Sequence, residues 1–150
     1  MIPELRAYRA ADFLSLWELD QRCFPENIAY SQDELAYYLR SKIAISSVAW
    51  EGDRIIGFVL GHRNRRGFGH IITLDVDPSV RRSGLGTTLM QALEARFRVA
   101  ECQAVLLEVA VNNLAALSFY KKHGYSVLRT LPRYYPGNLD GLLMGKNLFF

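Results

Sequence analysis

One stretch of the chain decides the fold: Leu74-Asp75-Val76-Asp77-Pro78-Ser79-Val80-Arg81-Arg82-Ser83-Gly84-Leu85-Gly86-Thr87-Thr88-Leu89-Met90. It begins as a strand, continues as a loop and ends in a helix. Gly84 and Gly86 remove side chains where the helix starts, so consecutive backbone N–H groups can approach an anion while the helix dipole favours its negative charge. Arg81 and Arg82, just upstream, can donate charge-assisted hydrogen bonds to phosphate oxygens. The stretch therefore predicts a strand–loop–helix unit that binds a pyrophosphate.

Two other glycine-rich phosphate-binding turns do not fit this spacing. The loop of nucleoside-triphosphate-binding proteins needs Gly-Lys-Ser or Gly-Lys-Thr, which occurs nowhere in the sequence. The dinucleotide-binding fingerprint needs a third Gly or Ala where this chain has Leu89. A helix start with incidental glycines stays open as the alternative when the motif is taken alone.

Outward from this unit, hydrophobic periodicity predicts the remaining elements. Ser31, with Glu34 three residues on, forms a capping-box pattern that opens one of the helices. Strands are predicted over 5–8, 43–50, 54–62, 69–76, 104–109, 125–131 and 139–148, and helices over 10–23, 31–40, 84–100 and 113–123. The order β-α-α-β-β-β-α-β-α-β-β predicts an α/β fold, a mixed sheet with helices on both faces, in a single domain over residues 1–150.

Composition is that of an ordinary globular protein. Of the 150 residues, 50% are hydrophobic and 22% are charged, so a core can form. Apolar runs fall short of the roughly 18–20 residues of a membrane span, and we expect no secretory leader. The two cysteines have neither disulfide-framework nor metal-site spacing, and the net charge of +3 is concentrated in short arginine clusters. We therefore expect a cytoplasmic protein, monomeric or weakly homodimeric, without a metal, a membrane or a nucleic-acid partner.

A second stretch, residues 107–125, reads Leu-Glu-Val-Ala-Val-Asn-Asn-Leu-Ala-Ala-Leu-Ser-Phe-Tyr-Lys-Lys-His-Gly-Tyr. Together the two stretches resemble the GNAT N-acetyltransferase family. The family signature Arg/Gln-x-x-Gly-x-Gly/Ala is matched by residues 81–86, and the pattern Glu-Val-x-x-x-Asn-x-x-Ala-x-x-x-Tyr-x-x-x-Gly-Phe/Tyr by residues 108–125. One departure is Ala110, where related enzymes often carry Arg. The resemblance covers residues 5–148 and implies the GNAT acyl-CoA N-acyltransferase fold.

The resemblance also implies acetyl-CoA as the cofactor. In the family, the loop wraps the pyrophosphate of coenzyme A, and the preceding strand pairs with the pantetheine arm through backbone hydrogen bonds. The positions that carry over as cofactor-binding residues are Leu74, Asp75, Val76, Arg81, Arg82, Ser83, Gly84, Leu85, Gly86, Thr87, Asn113, Ala116 and Tyr120.

Acetyl transfer from a thioester to an amine needs a base and an acid, because a protonated amine cannot attack and the leaving thiolate must be reprotonated. Glu108, at the end of an apolar strand, is the candidate base, directly or through water, and Tyr120 is the candidate acid. Tyr120 lies seven residues after Asn113, about two helical turns on, so both can face one cleft. From the residues alone, Glu108 could equally be a salt-bridged strand end, Tyr120 a buried aromatic residue and Asn113 a helix cap.

The other residues capable of acid–base or nucleophilic chemistry are predicted to have structural roles. His62, His70 and His123 have no Ser or Cys arranged around them by a recognisable motif, so they are interpreted as structural or surface groups. Cys23 is interpreted as a small buried hydrophobic residue. We therefore expect direct transfer in a ternary complex rather than an acyl-cysteine intermediate.

Within the family, the chain is most similar to enzymes that acetylate protein N-termini, in particular the terminal alanine of a ribosomal protein. The expected acceptor is a peptide or protein N-terminus, such as that of a ribosomal protein. Its predicted binding residues are Phe24 and Tyr30 on one lip of the cleft and Tyr134 and Tyr135 on the other, although ordinary packing of these tyrosines stays open.

Two alternative functions remain at this point. The first is acetylation of a free small amine, although a polycationic acceptor needs clustered carboxylates and the sequence displays no such cluster. The second is a domain that binds acetyl-CoA as a sensor without turnover. The presence of both Glu108 and Tyr120 argues against a sensor.

Overall fold

The computed structural model describes residues 3–149; Met1, Ile2 and Phe150, at the ends of the predicted domain, lie outside the described residues. The described residues form seven strands and four α-helices in the predicted order. The strands are β1 (Glu4–Arg6), β2 (Ala44–Glu51), β3 (Arg54–Arg63), β4 (Gly69–Val76), β5 (Ala104–Ala110), β6 (Ser126–Tyr135) and β7 (Leu139–Asn147). The helices are α1 (Phe13–Cys23), α2 (Gln32–Arg40), α3 (Leu85–Val99) and α4 (Leu114–Lys122).

All seven strands join one mixed sheet in the order β1-β2-β3-β4-β5-β7-β6. Neighbours are antiparallel except β4 and β5, which run parallel because α3 carries the chain back across the sheet. This parallel pairing is limited to Gly69 with Val105 and His70 with Leu106. Beyond these two pairs, β4 stays paired only with β3 and β5 only with β7. The sheet therefore opens between β4 and β5 towards their carboxyl ends.

The two faces of the sheet carry separate hydrophobic clusters, as the predicted helices on both faces require. One cluster packs α3 and α4 against the sheet, with Leu89, Leu93 and Phe97 of α3 almost fully buried. The other packs α1 and α2 on the opposite face. Within residues 3–149, no helix is both long enough and apolar enough to cross a membrane.

Helix α3 lies close against the sheet because glycines stand beneath it. A Cβ atom at Gly69 would lie 2.6 Å from the ring of Phe97, and one at Gly61 would lie 2.9 Å from the same ring. These distances are shorter than a carbon–carbon contact allows. Any side chain at Gly69 would therefore force Phe97, and α3 with it, away from β4.

The start of α1 differs from the sequence-based element, which began at residue 10. Residues Ala10–Asp12 form a 3-10 turn, and α1 begins only at Phe13. The buried Asp12 carboxylate fixes this turn: it accepts the Arg9 backbone N–H at 2.9 Å and both terminal nitrogens of Arg6 at 2.8 and 2.9 Å. The Arg6 hydrogen bond is the main cause that lowers the pKa of Asp12, so the group is a carboxylate at neutral pH.

Strand β6 also differs, because it continues four residues beyond its predicted end at residue 131 and reaches Tyr135. It runs through Pro132, which lacks a backbone donor. This proline is tolerated because β6 lies at the edge of the sheet, and the pairing register with β7 shifts between Leu131 and Tyr135. Tyr134 and Tyr135 therefore belong to the end of β6 rather than to a loop.

The packing of α3 on the sheet gives a prediction for stability. We expect Gly69→Ala to lower the free energy of unfolding by about 1–3 kcal/mol, because the new methyl group overlaps the Phe97 ring. Phe97→Leu removes that ring. In that variant, Gly69→Ala should lower the free energy of unfolding by at least about 0.5 kcal/mol less than it does in the wild type. Urea unfolding of both single variants and the double variant measures this coupling. Additive effects would contradict the close contact.

Candidate active site

The opening between β4 and β5 forms a cavity of about 600 Å³. The loop between α1 and α2, the middle of β4, the end of β5, the start of α4 and the end of β6 all contribute to its walls. All of the residues predicted for catalysis and acceptor binding, and some of those predicted for the cofactor, line this cavity: Phe24, Tyr30, Leu74, Glu108, Asn113, Ala116, Tyr120, Tyr134 and Tyr135.

A β-bulge shapes β4 beside the cavity. Leu60 of β3 pairs with Thr73 and Gly61 pairs with Ile71, which leaves Ile72 as an extra residue in β4. The hydroxyl of Tyr30 donates to the Ile72 carbonyl at 3.2 Å. The loop between α1 and α2 is thereby attached to β4 at the bulge.

The turn between β4 and α3 has the conformation that an anion site needs. Arg82 and Gly84 adopt positive φ angles of 65° and 88°. No side chain within the described residues caps α3, so the first amide groups of this helix stay available. Arg81 donates from Nε to the Val76 carbonyl at 3.2 Å, which fixes the turn against the end of β4. A backbone concavity of free N–H groups at a helix N-terminus favours phosphate.

The remaining predicted cofactor residues lie outside the cavity lining. Asp75 and Leu85 are buried, at 0% and 3% exposure, so only their backbone groups can contact a cofactor. The hydroxyl of Thr87, in the first turn of α3, lies 3.0 Å from His123 Nε2. The others are Val76 at the end of β4, Arg81, Arg82, Ser83 and Gly84 in the turn that follows it, and Gly86 in the first turn of α3.

His70 lies against the candidate base, a contact that the interpretation of His70 as a structural or surface group did not include. Its Nε2 atom lies 2.7 Å from Glu108 Oε1, and both side chains are partly exposed, at 27% and 21%. His70 belongs to the last residue pair of β4 and β5, and Glu108 lies in β5 two residues beyond its partner Leu106. The predicted βαβ unit makes β4 and β5 neighbours, but no local pattern fixes the register that sets this pair.

Tyr120 reaches the cavity from α4. Burial raises the pKa of Tyr120, and Asp75 and Tyr135 raise it further, so the phenol keeps its proton at neutral pH. Among residues 3–149, the Tyr120 hydroxyl has no hydrogen-bond partner. Asn113 caps the same helix, since its Oδ1 accepts the Ala116 N–H at 3.2 Å, and it also lines the cavity. The helix-cap interpretation of Asn113 is thus confirmed.

The two predicted lips of the cleft are joined by a hydrogen bond. Asn27 donates from Nδ2 to the Pro136 carbonyl at 3.1 Å. Tyr134 and Tyr135 pack edge to face with ring centroids 4.9 Å apart. Burial raises the pKa of both hydroxyl groups, so they stay neutral hydrogen-bonding groups.

Carboxylates that sequence reasoning did not bring together line the same cavity. Glu26 and Glu34 join Glu108 in its walls, and none of the described residues that line it is lysine or arginine. Glu34 also accepts the Ser31 N–H at 3.0 Å as part of the predicted capping box. The cavity wall therefore carries three separate carboxylates, of which Glu26 and Glu34 are exposed. Glu26 lies within the loop that was predicted from the sequence as one lip of the cleft, so its place in the cavity wall could have been predicted.

Cys23 lies at the end of α1, beside the end of β4. Its Sγ donates to the Val76 carbonyl at 3.3 Å. Burial, followed by the neighbouring Asp75, raises the pKa of the Cys23 thiol to about 12. The thiol therefore stays protonated at neutral pH and is a poor nucleophile.

Comparisons with known proteins agree with this geometry. The sequence matches the model of the Acetyltransferase (GNAT) family over residues 13–125. An uncharacterized N-acetyltransferase of Methanocaldococcus jannaschii is 42% identical over 94 residues, 62% of this chain and 60% of that protein, which is less than two thirds of its length. The N-terminal acetyltransferase A complex catalytic subunit NAA10 of Arabidopsis thaliana is 32% identical over 150 residues, covering 96% of this chain and 77% of that protein.

The fold has close counterparts among solved structures. The ribosomal-protein-S18-alanine N-acetyltransferase from Escherichia coli superposes with a TM-score of 0.88 at 19% identity, covering 99% of this chain and 96% of that chain. This likeness concerns the fold, whereas the family match spans more than half of the sequence and both motif stretches. The predicted fold and enzyme class are confirmed: the chain belongs to the acetyltransferase (GNAT) family.

Proposed function

We propose that this enzyme transfers an acetyl group from acetyl-CoA to the α-amine of a peptide or protein N-terminus, directly and in a ternary complex. The observation that carries the proposal is the opening between β4 and β5. Glu108, the proposed base, and Tyr120, the proposed acid, both line the cavity at this opening. The anion-binding turn follows directly from β4. Transfer from a phosphate-bearing thioester needs these three features side by side.

The turn over residues 81–87 supports acetyl-CoA as the donor. Its free amides and the guanidinium groups of Arg81 and Arg82 suit a pyrophosphate. Beyond His70, the cavity side of β4 is not paired with β5, so Leu74 and Asp75 can offer backbone groups to an extended amide chain, whereas the Val76 carbonyl already accepts from Arg81 and Cys23. When bound, the thioester supplies the acetyl group and a thiol leaving group.

Glu108 is proposed to take the proton from the acceptor ammonium, directly or through water. In the tautomer that carries hydrogen on Nε2, His70 donates to Glu108 Oε1 and leaves Oε2 to accept that proton. The neutral amine nitrogen then attacks the thioester carbonyl carbon, so that a C–N bond forms and the C–S bond breaks. His70 is thus a positioning residue for the base.

Tyr120 is proposed to donate a proton to the departing sulfur and to take up in its place the proton that the amine nitrogen loses as the amide forms. Its phenol is protonated at neutral pH and has a free hydroxyl, as a general acid requires. The protonated state of the Cys23 thiol supports direct transfer over an acyl-cysteine route.

The acceptor cleft suits a chain terminus. The tyrosines at its lips offer hydroxyl groups to an extended backbone, and the carboxylates favour a cationic α-ammonium group. The name of the Arabidopsis relative, an N-terminal acetyltransferase subunit, supports this class of acceptor. A ribosomal protein, which the name of the Escherichia coli enzyme specifies, is one candidate of this class. The carboxylates also favour a second candidate, a small polyamine, because they would balance its charge.

The proposed acid is tested by Tyr120→Phe, which keeps the ring and removes the proton donor. We expect kcat to fall by about 100-fold, while the Kd of acetyl-CoA changes by less than about twofold. Tyr37→Phe, at a tyrosine 74% exposed, is the matched control and should leave both constants unchanged. Steady-state kinetics and calorimetry separate the two constants. An unchanged kcat in Tyr120→Phe would remove this assignment.

The proposed phosphate site is tested by placing a negative charge in the turn. Gly84 and Gly52 match, because both have positive φ and open space where a Cβ atom would lie, so Glu strains the backbone similarly at each. We expect Gly84→Glu to weaken coenzyme A binding at least tenfold, or about 1.4 kcal/mol, by repelling phosphate. Gly52→Glu should bind normally. Equal calorimetric affinity in the two folded variants would place the phosphates elsewhere.

The acceptor is tested with short peptides and spermidine. We expect kcat/KM to be about threefold lower for a peptide beginning Ala-Glu than for one beginning Ala-Gly, because the cleft carries carboxylates. Glu26→Gln should narrow this difference. Spermidine is the competing acceptor, and a kcat/KM tenfold above that of the better peptide, about 1.4 kcal/mol, would favour the small-amine function instead.

A further inference from the structure

Two aspartates that have no place in the proposed chemistry lie buried beneath the cofactor strand. Asp20 of α1 and Asp75 of β4 are both 0% exposed. One oxygen of each carboxyl group is satisfied: Asp20 Oδ2 accepts the Tyr30 N–H at 2.8 Å, and Asp75 Oδ1 accepts the Thr73 hydroxyl. The other two oxygens, Asp20 Oδ1 and Asp75 Oδ2, are buried without a partner in the described part of the chain.

Asp20 is near enough to raise the pKa of Asp75, both as a like charge and as a hydrogen-bonding neighbour. If both were ionised, their four acceptor oxygens would have only two donors among the described residues, the Tyr30 N–H and the Thr73 hydroxyl. Two like charges would also lie together out of water. One proton between Asp20 Oδ1 and Asp75 Oδ2 removes both problems, because the protonated group donates and the other accepts.

The groups around the pair do not neutralise it. Cys23 faces it from α1 as a protonated thiol, and Tyr30 and Tyr120 face it from the loop after α1 and from α4 as protonated phenols. Arg81, a cation from the turn that lowers the pKa of Asp75, is exposed and bound to the Val76 carbonyl. Burial, followed by Asp20, raises the pKa of Asp75 well above its usual range.

We propose that Asp20 and Asp75 share one proton and act as positioning residues, holding the Tyr30 wall of the acceptor cleft against β4. The connection runs from Asp75 on β4, through the shared proton, to Asp20 and on to the Tyr30 backbone N–H. The functional part of this inference rests on the proposed acceptor cleft; the shared proton does not.

The shared proton links folding to pH with a defined sign. The folded chain keeps a proton that the unfolded chain releases once the pH exceeds an ordinary aspartate pKa of about 4. The contribution to stability is therefore complete at low pH and is lost as the pH rises towards the pKa of the folded pair. Within that window the folding equilibrium constant falls by up to about tenfold per pH unit.

Asp75→Asn is the informative variant, because an amide can donate to Asp20 Oδ1 and accept from Thr73 without any shared proton. We expect the ratio of wild-type to variant folding constants, from urea unfolding between about pH 5 and pH 8, to fall by up to about tenfold per pH unit. Asp20→Asn should give the same result and serves if Asp75→Asn does not fold. Asp12→Asn is the control: Arg6 lowers the pKa of that buried aspartate, so its removal should leave the alkaline loss of stability intact.

Two further readouts separate positioning from simple stability. Infrared spectra at neutral pH should contain a protonated-carboxyl band in the wild type that is absent from both Asn variants. As the pH rises, the KM for an acceptor peptide should increase in the wild type relative to Asp75→Asn, while the ratio of their kcat values stays constant. The shared proton would be overturned if the stability–pH curves of the wild type and Asp75→Asn ran parallel, or if the wild type lacked the protonated-carboxyl band. A shared proton with parallel KM–pH curves would overturn the positioning role and leave the proposed acetyl transfer untouched.

Discussion

The structure depends on the early separation of β4 from β5. After two residue pairs, each strand stays with its antiparallel neighbour, and no backbone ladder closes the sheet between them. A gap of this kind leaves backbone N–H and C=O groups unpaired, which lowers the free energy of unfolding unless other groups or water hydrogen bond to them. Here it forms the cavity onto which helices, loop and edge strand all direct side chains. Glu108 and Tyr120 line one space because of this separation.

Buried carboxyl groups have three different kinds of partner in the described part of the fold. Asp12 has the guanidinium of Arg6 as its partner. Glu94, 4% exposed, accepts the hydroxyl of Tyr125 at 2.7 Å and the amino group of Lys146 at 3.1 Å. Asp20 and Asp75 have no comparable cation in direct contact among residues 3–149. In the first two arrangements a cation lies against the buried carboxyl group, whereas the third, which joins α1 to β4, combines two carboxyl groups.

Features set by neighbouring residues could be predicted from the sequence, and features set by strand register could not. The capping box of Ser31 and Glu34 and the glycine turn before α3 involve residues a few positions apart, and both are present. The contact of His70 with Glu108 joins residues 38 positions apart and needs the register of two parallel strands. The extension of β6 through Pro132 depends on its edge position, which only the assembled sheet defines.

That irregular edge has a consequence for how the protein behaves at high concentration. An open strand offers unpaired amides and carbonyls to any other chain, and regular edges of this kind promote aggregation through added strands. At one end of this sheet β1 is only three residues long. At the other, β6 is interrupted by Pro132 and by the positive φ of Arg133, and it exposes Arg129. Neither edge is a straight template, so the sheet resists growth by intermolecular strand addition.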